Sequence, residues 1–148
     1  MNRSAFVYVT YIRATRERVW QALTTPSSIH AYWFGMTVES EFSPGSSWRL
    51  SFEDGRTADH GEILESAPPN RLVIRWLHDW RPELAEEGPA RCTFTLEEAG
   101  PATKLTVLHE IERADSKLIE AVSGGWPKIL SNLKSLLETG EVVLPEKV

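Results

Sequence analysis

The stretch from Ser123 to Gly140, SGGWPKILSNLKSLLETG, constrains this chain more than any other. Trp126, Ile129, Leu130, Leu133, Leu136 and Leu137 recur at i, i+3, i+4, i+7, i+10 and i+11, which places all six on one face of an α-helix. Lys128, Asn132, Lys134, Ser135 and Glu138 fall off that stripe. Ser123 is the expected N-cap, Pro127 falls in the first turn where its missing N–H costs least, and Gly140 closes the C-terminus in a left-handed conformation. Burying six such side chains contributes roughly 10–15 kcal/mol before conformational entropy is subtracted. A helix of this kind must lie on something broad and apolar.

The preceding chain reads as a sheet able to receive it. Residues 6–12 (FVYVTYI) are β-branched and aromatic and predict a strand, with Phe6, Tyr8, Thr10 and Ile12 on one face and Val7, Val9 and Tyr11 on the other. Thr15 offers an N-cap for a helix over 16–24, with Val19, Trp20 and Leu23 on one side, and Pro26 stops it. A second short helix starts at Ser27 or Ser28, runs through Ile29, Tyr32 and Trp33, and ends at Gly35.

From Met36 the period becomes two. Strands are expected over 36–42, then around Trp48, Leu50 and Phe52, with Asp54-Gly55 as a hairpin signal. Further strands follow over 58–66, 72–80, 91–97 and 103–111, with turns at Ala67-Pro68-Pro69-Asn70 and Gly100-Pro101. Residues 81–89 are acidic, contain two prolines and read as a mobile loop. The order is strand, two short helices, six strands in successive hairpins, then one long helix. That is an α+β chain with an antiparallel sheet of about seven strands, whose twist would curl it around the last helix.

The chain has 148 residues, enough for one domain with a real core and short for two, and no repeat or linker divides it, so residues 1–148 read as a single domain. Net charge is −5 with scattered Lys and Arg, so no basic stripe points to nucleic acid. The lone Cys92 excludes an intrachain disulfide and a multi-cysteine metal site. The first apolar run is too short for a signal peptide or membrane span, so a cytoplasmic protein without a membrane partner is expected. Six Trp are the unusual number.

The segments VYVTYIRATRERVWQALTTPSSIHAYWFG, GEILESAPPNRLVIRW and GGWPKILSNLKSLLETG resemble the bacterial relatives of the heat shock protein 90 ATPase activator, within the START-like (SRPBCC or Bet-v-1-like) superfamily. The resemblance covers nearly the whole chain and implies the helix-grip fold, a curved sheet wrapped around the C-terminal helix. It implies function only broadly, since members of the superfamily bind lipids, polyketides, hormones or proteins, and some are cyclases or hydrolases. The separate N-terminal domain of the eukaryotic co-chaperone has no counterpart in the sequence.

The same resemblance implies a cavity between sheet and helix. Alternation sends Leu64, Leu72, Ile74, Trp76, Phe94, Leu96, Leu105 and Val107 inward, and by the same parity His60, Glu62, His78, Trp80 and His109. A hairpin with Ser66 opposite Leu72 would set His60 opposite His78. Trp33, Phe34, Trp48, Phe52, Trp76 and Trp126 form the aromatic set, with Trp48 and Trp76 the favoured lining and Trp126 core, and Leu130 completes the expected lining.

Three readings of the histidines compete: polar handles in an apolar pocket, locally satisfied structural groups, or a metal site with Cys92 that lacks ligand spacing. A His60–Glu62 pair is the one candidate for acid–base work. Gly124-Gly125 would permit close helix–sheet approach or a kink, and no phosphate loop, G-x-S-x-G elbow or H-E-x-x-H motif is present.

The leading expectation is a binding domain for an apolar or aromatic small molecule, with no cofactor, metal or catalytic residue assigned. The alternatives are a cyclase- or hydrolase-like enzyme using a pocket His or Glu, and a chaperone-regulating interaction domain. A homodimer would cover the apolar residues of the 141–148 tail.

Overall fold

The computed structural model describes residues 2–147. The elements are β1 (Ser4–Ile12), α1 (Arg16–Thr24), α2 (Pro26–Tyr32), β2 (Thr37–Ser40), β3 (Ser47–Ser51), β4 (Thr57–Ala67), β5 (Arg71–His78), α3 (Pro82–Ala85), β6 (Ala90–Ala99), β7 (Ala102–Ile111) and α4 (Lys117–Thr139). The seven strands form one antiparallel sheet in the order β1-β7-β6-β5-β4-β3-β2. Successive hairpins build all of it except β1, which returns to pair with β7 along its whole length. The helix α4 packs on one face of the sheet, against β1 and β7, in a helix-grip-like arrangement. The α+β architecture is the expected one.

Alternation explains which side chains meet that helix. Cys92, Phe94 and Leu96 of β6 and Leu105, Val107, His109 and Ile111 of β7 are buried, as are Leu72, Ile74 and Trp76 of β5. From α4, Trp126, Ile129, Leu130 and Leu133 enter the same core.

Several local expectations are corrected. The helix α4 begins at Lys117, and its N-cap is Ser116, whose hydroxyl accepts the Ile119 N–H. Ser123, Gly124, Gly125 and Pro127 are therefore interior positions. Their weak propensity imitates a helix start, but buried Leu118 and Ile119 extend the apolar stripe and tertiary packing prevails. Pro26 opens α2 at its first position instead of merely closing α1.

The acidic segment after β5 is organised, not loose: Leu84 of α3 is buried, and Glu87 takes hydrogen bonds from the Ser116 hydroxyl and from the Lys117 and Leu118 N–H groups. Partial burial pulls the Glu87 carboxyl up, but those bonds outweigh it and hold its pKa below the ordinary value. A carboxylate at this helix N-terminus also complements the dipole.

Asn132, off the apolar stripe, is buried. Its amide donates to the Leu144 and Tyr32 carbonyls while its carbonyl accepts the Leu144 N–H at 2.7 Å. This clamp lays the tail back along α4 and brings Lys147 to within 6.0 Å of the Trp80 ring.

Candidate ligand cleft

The interior between sheet and helix is largely filled by aromatic rings. Trp48 and Trp76 lie 4.4 Å apart, Trp33 and Trp126 5.3 Å, Trp76 and Trp126 5.9 Å, and Phe94 and Trp126 5.7 Å. The void left among Trp48, Leu72, Ile74, Phe94 and their neighbours is about 10 Å³, too small for an organic ligand. Open volume lies at one end. A cleft of about 360 Å³ is bordered by Trp33, Trp76, Trp80 and Trp126, by the N-terminal half of α4, and by Asp59, His78 and Lys147. A second cleft of about 410 Å³ adjoins it, sharing Trp33, Phe34, Asp59, Trp80 and Lys147 and adding Phe52. These volumes suit small organic molecules.

A bulge decides which polar groups reach this cleft. The β4–β5 register has Ser66 opposite Leu72, as expected, but it slips between Ile63 and Glu65. Beyond the slip every side chain of β4 changes face. Ile63, Gly61 and Asp59 point inward, with Asp59 opposite His78 and Gly61 opposite Trp76. His60, Glu62 and Leu64 point outward and are exposed, which corrects their placement in the cavity. His60 pairs instead with Asp79 at 2.6 Å on the outer surface, so the expected His60–Glu62 and His60–His78 pairs do not form.

Of the remaining residues expected to line a cavity, Trp33, Phe34, Trp76, His78 and Trp126 border the first cleft and Phe52 the second. Trp48, Phe94, Val107, His109 and Leu130 are buried in the packed core and border neither cleft. Trp126 serves both, being buried yet forming part of the cleft wall.

Asp59 is the polar centre absent from the expected lining. Its Oδ1 accepts the Trp76 indole N–H at 3.0 Å and faces His78 Nδ1 at 2.9 Å. A carboxylate only accepts, so Nδ1 carries a proton, and in the neutral imidazole Nε2 then presents a lone pair. That Nε2 is buried and has no hydrogen-bond partner. The signal for the bulge was present in Gly61: a glycine inside a strand marks a bulge or a close backbone approach.

His109 is different in kind. It is fully buried, and its Nδ1 accepts the Trp126 indole N–H at 3.0 Å. Burial pushes its pKa down from 6.5 to about 3, so it is a neutral structural group. Burial likewise raises the Cys92 thiol well above its ordinary range, leaving it an apolar filler. Among the described residues, no group of three or more His, Cys, Asp or Glu side chains is placed to hold a metal, and no helix is long and apolar enough to cross a membrane.

Gly124 and Gly125 lie on the cleft wall. A Cβ built on either would meet nothing within 4 Å, so neither is needed for close packing against the sheet.

Solved structures share this fold. The protein MLL2253 from Mesorhizobium loti is 24% identical, with 94% of this chain and 100% of that one covered and a TM-score of 0.80. The Aha1 dimer from Colwellia psychrerythraea is 19% identical, with 93% and 98% covered and a TM-score of 0.77. CalU16 from Micromonospora echinospora is 21% identical, with 92% and 77% covered and a TM-score of 0.74. No curated protein matches the chain in sequence. Residues 13–138, nearly the whole helix-grip framework, match the family described as Activator of Hsp90 ATPase homolog 1-like protein, and the chain belongs to that family.

Proposed function

We propose that the protein is a binding domain for a small aromatic molecule, held in the cleft between Trp80, Trp33 and the N-terminal half of α4. The observation that carries this reading is the pairing of an open, indole-lined cleft with one buried, unpartnered polar atom, Nε2 of His78, in its wall. An apolar site with few convergent polar groups is what a small-molecule pocket requires. Native mass spectrometry of the purified protein tests it: a retained molecule that leaves on denaturation is expected, and a ligand whose binding is unaffected by Trp33→Ala and Trp80→Ala would refute the site.

The two cleft glycines support the same reading. Each costs helix α4 about 0.5–1 kcal/mol relative to alanine, with no packing contact in return. Gly124→Ala and Gly125→Ala are therefore expected to raise the unfolding free energy by about 0.5–1 kcal/mol each while weakening ligand binding, because the added methyls enter the cleft. Urea denaturation and titration calorimetry check the two halves; a loss of stability would show that the glycines are structural.

A second reading concerns self-association. Val7, Val9 and Tyr11 on the outer face of edge strand β1 are all exposed, and Val7 lies opposite Leu108 of β7. This apolar stripe, together with the dimeric state of the Colwellia relative, supports a homodimer through β1. Sedimentation of the wild type as a dimer and of Val9→Asp as a monomer is the expected result; a monomeric wild type at high protein concentration would end this reading.

A further inference from the structure

Resting on that cleft reading, we infer that the ligand is a hydroxylated aromatic whose O–H donates to Nε2 of His78. Three observations converge on this class. Asp59 fixes the imidazole tautomer, because its Oδ1, 2.9 Å from Nδ1, can only accept a hydrogen bond. In the neutral imidazole the remaining nitrogen is an acceptor, and it is buried without a partner on a side chain that borders a cleft whose other large groups are indoles. Acceptors left unsatisfied in such a place are costly, so a donor from the ligand gains more here than it would at an exposed site.

The Asp59–His78 pair is itself held rigid. The Trp76 indole N–H bonds the same Oδ1 at 3.0 Å, and the His78 side chain is only 9% exposed. The cleft rim adds cationic charge through Lys147, 6.0 Å from the Trp80 ring, while Arg81, also 6.0 Å from that ring, is ion-paired with Glu83 at 3.0 Å. A phenolic oxygen, whose electron density rises as its proton moves toward His78, suits that field; a hydrocarbon gains nothing from it. A ligand with only acceptor oxygens would set lone pair against lone pair at Nε2.

The test compares 2-naphthol with 2-methoxynaphthalene, which share the ring system and differ in the donor. Calorimetric titration of the wild type is expected to show 2-naphthol binding about tenfold more tightly, the size of one satisfied buried acceptor. In His78→Phe the two affinities are expected to converge. Asp59→Asn, which lets an amide N–H face Nδ1 and so admits the other tautomer, is expected to abolish or invert the preference while the protein stays folded. In the wild type, the ¹⁵N resonance of His78 Nε2 is expected to move on adding 2-naphthol and to stay in place with the ether.

Equal binding of both probes to the wild type would overturn this inference and leave the aromatic cleft standing. Binding of neither would overturn both. A preference for 2-naphthol that persists in both variants would place the donor contact elsewhere and overturn the assignment to His78.

Discussion

Replacing Gly61 by alanine is expected to lower the unfolding free energy by more than about 3 kcal/mol. The reason is steric and local. A Cβ on Gly61 would stand 1.7 Å from the Arg75 carbonyl oxygen and 2.8 Å from the Arg75 carbonyl carbon. Both are backbone atoms of the neighbouring strand, so no side-chain rotation relieves the clash and the β4–β5 pair itself must part. Gly61 also sits opposite both Trp48 and Trp76, whose rings meet 4.4 Å apart. Parting the strands there would loosen the aromatic core and displace Asp59 and His78 with it. Guanidinium denaturation of Gly61→Ala beside Gly55→Ala measures the effect. The latter meets no atom and should lose only about 1 kcal/mol through its left-handed φ of +91°. Similar losses for the two would show that the close approach is not rigid.

The second large effect is a dependence of stability on pH through His109. Its folded pKa is depressed from 6.5 to about 3 by burial. Between those values the unfolded chain binds a proton that the folded one does not, so this contribution is complete above about pH 6.5 and is lost as pH falls toward 3. From pH 7 to pH 5 the loss is expected to be about 2 kcal/mol, with a slope approaching roughly 1.4 kcal/mol per pH unit. Glu87 and Glu138, whose pKa values are lowered in the fold, act in the same direction but only below their unfolded value near 4.5.

His109→Gln keeps a side-chain acceptor for the Trp126 indole and removes the titration. Its stability between pH 7 and pH 5 is expected to vary by about 2 kcal/mol less than that of the wild type. Parallel curves for the two proteins would mean that His109 takes up its proton in the folded state over the same pH range as in the unfolded chain.

The long helix and the strand series were legible because their apolar periods are strong. The stripe from Trp126 to Leu133 enters the core, the alternation of β7 is followed residue by residue, and that of β6 holds for Cys92, Phe94 and Leu96, although Thr93 between them is buried as well. What failed was whatever depended on phase or on a distant partner. The slip between Ile63 and Glu65 exchanged His60 and Glu62 for Asp59 as inward groups, and one residue of phase moved the polar centre of the site. Only Gly61 hinted at it. The start of α4 was hidden because Ser123-Gly124-Gly125-Trp126-Pro127 has the local chemistry of a helix beginning, while the actual cap combines Ser116 with Glu87 from another segment. Asn132 looked like a solvent-facing residue because its partners, Tyr32 and Leu144, lie on other parts of the chain.

Whether an aromatic ligand occupies the cleft over Trp33 and Trp80 can be read from the indole N–H resonances of the six tryptophans during titration with 2-naphthol. Saturable shifts are expected, largest at Trp33 and Trp80, with Trp20 of α1 unmoved. Absence of any saturable shift, or shifts as large at Trp20 as at Trp80, would contradict occupancy of this cleft.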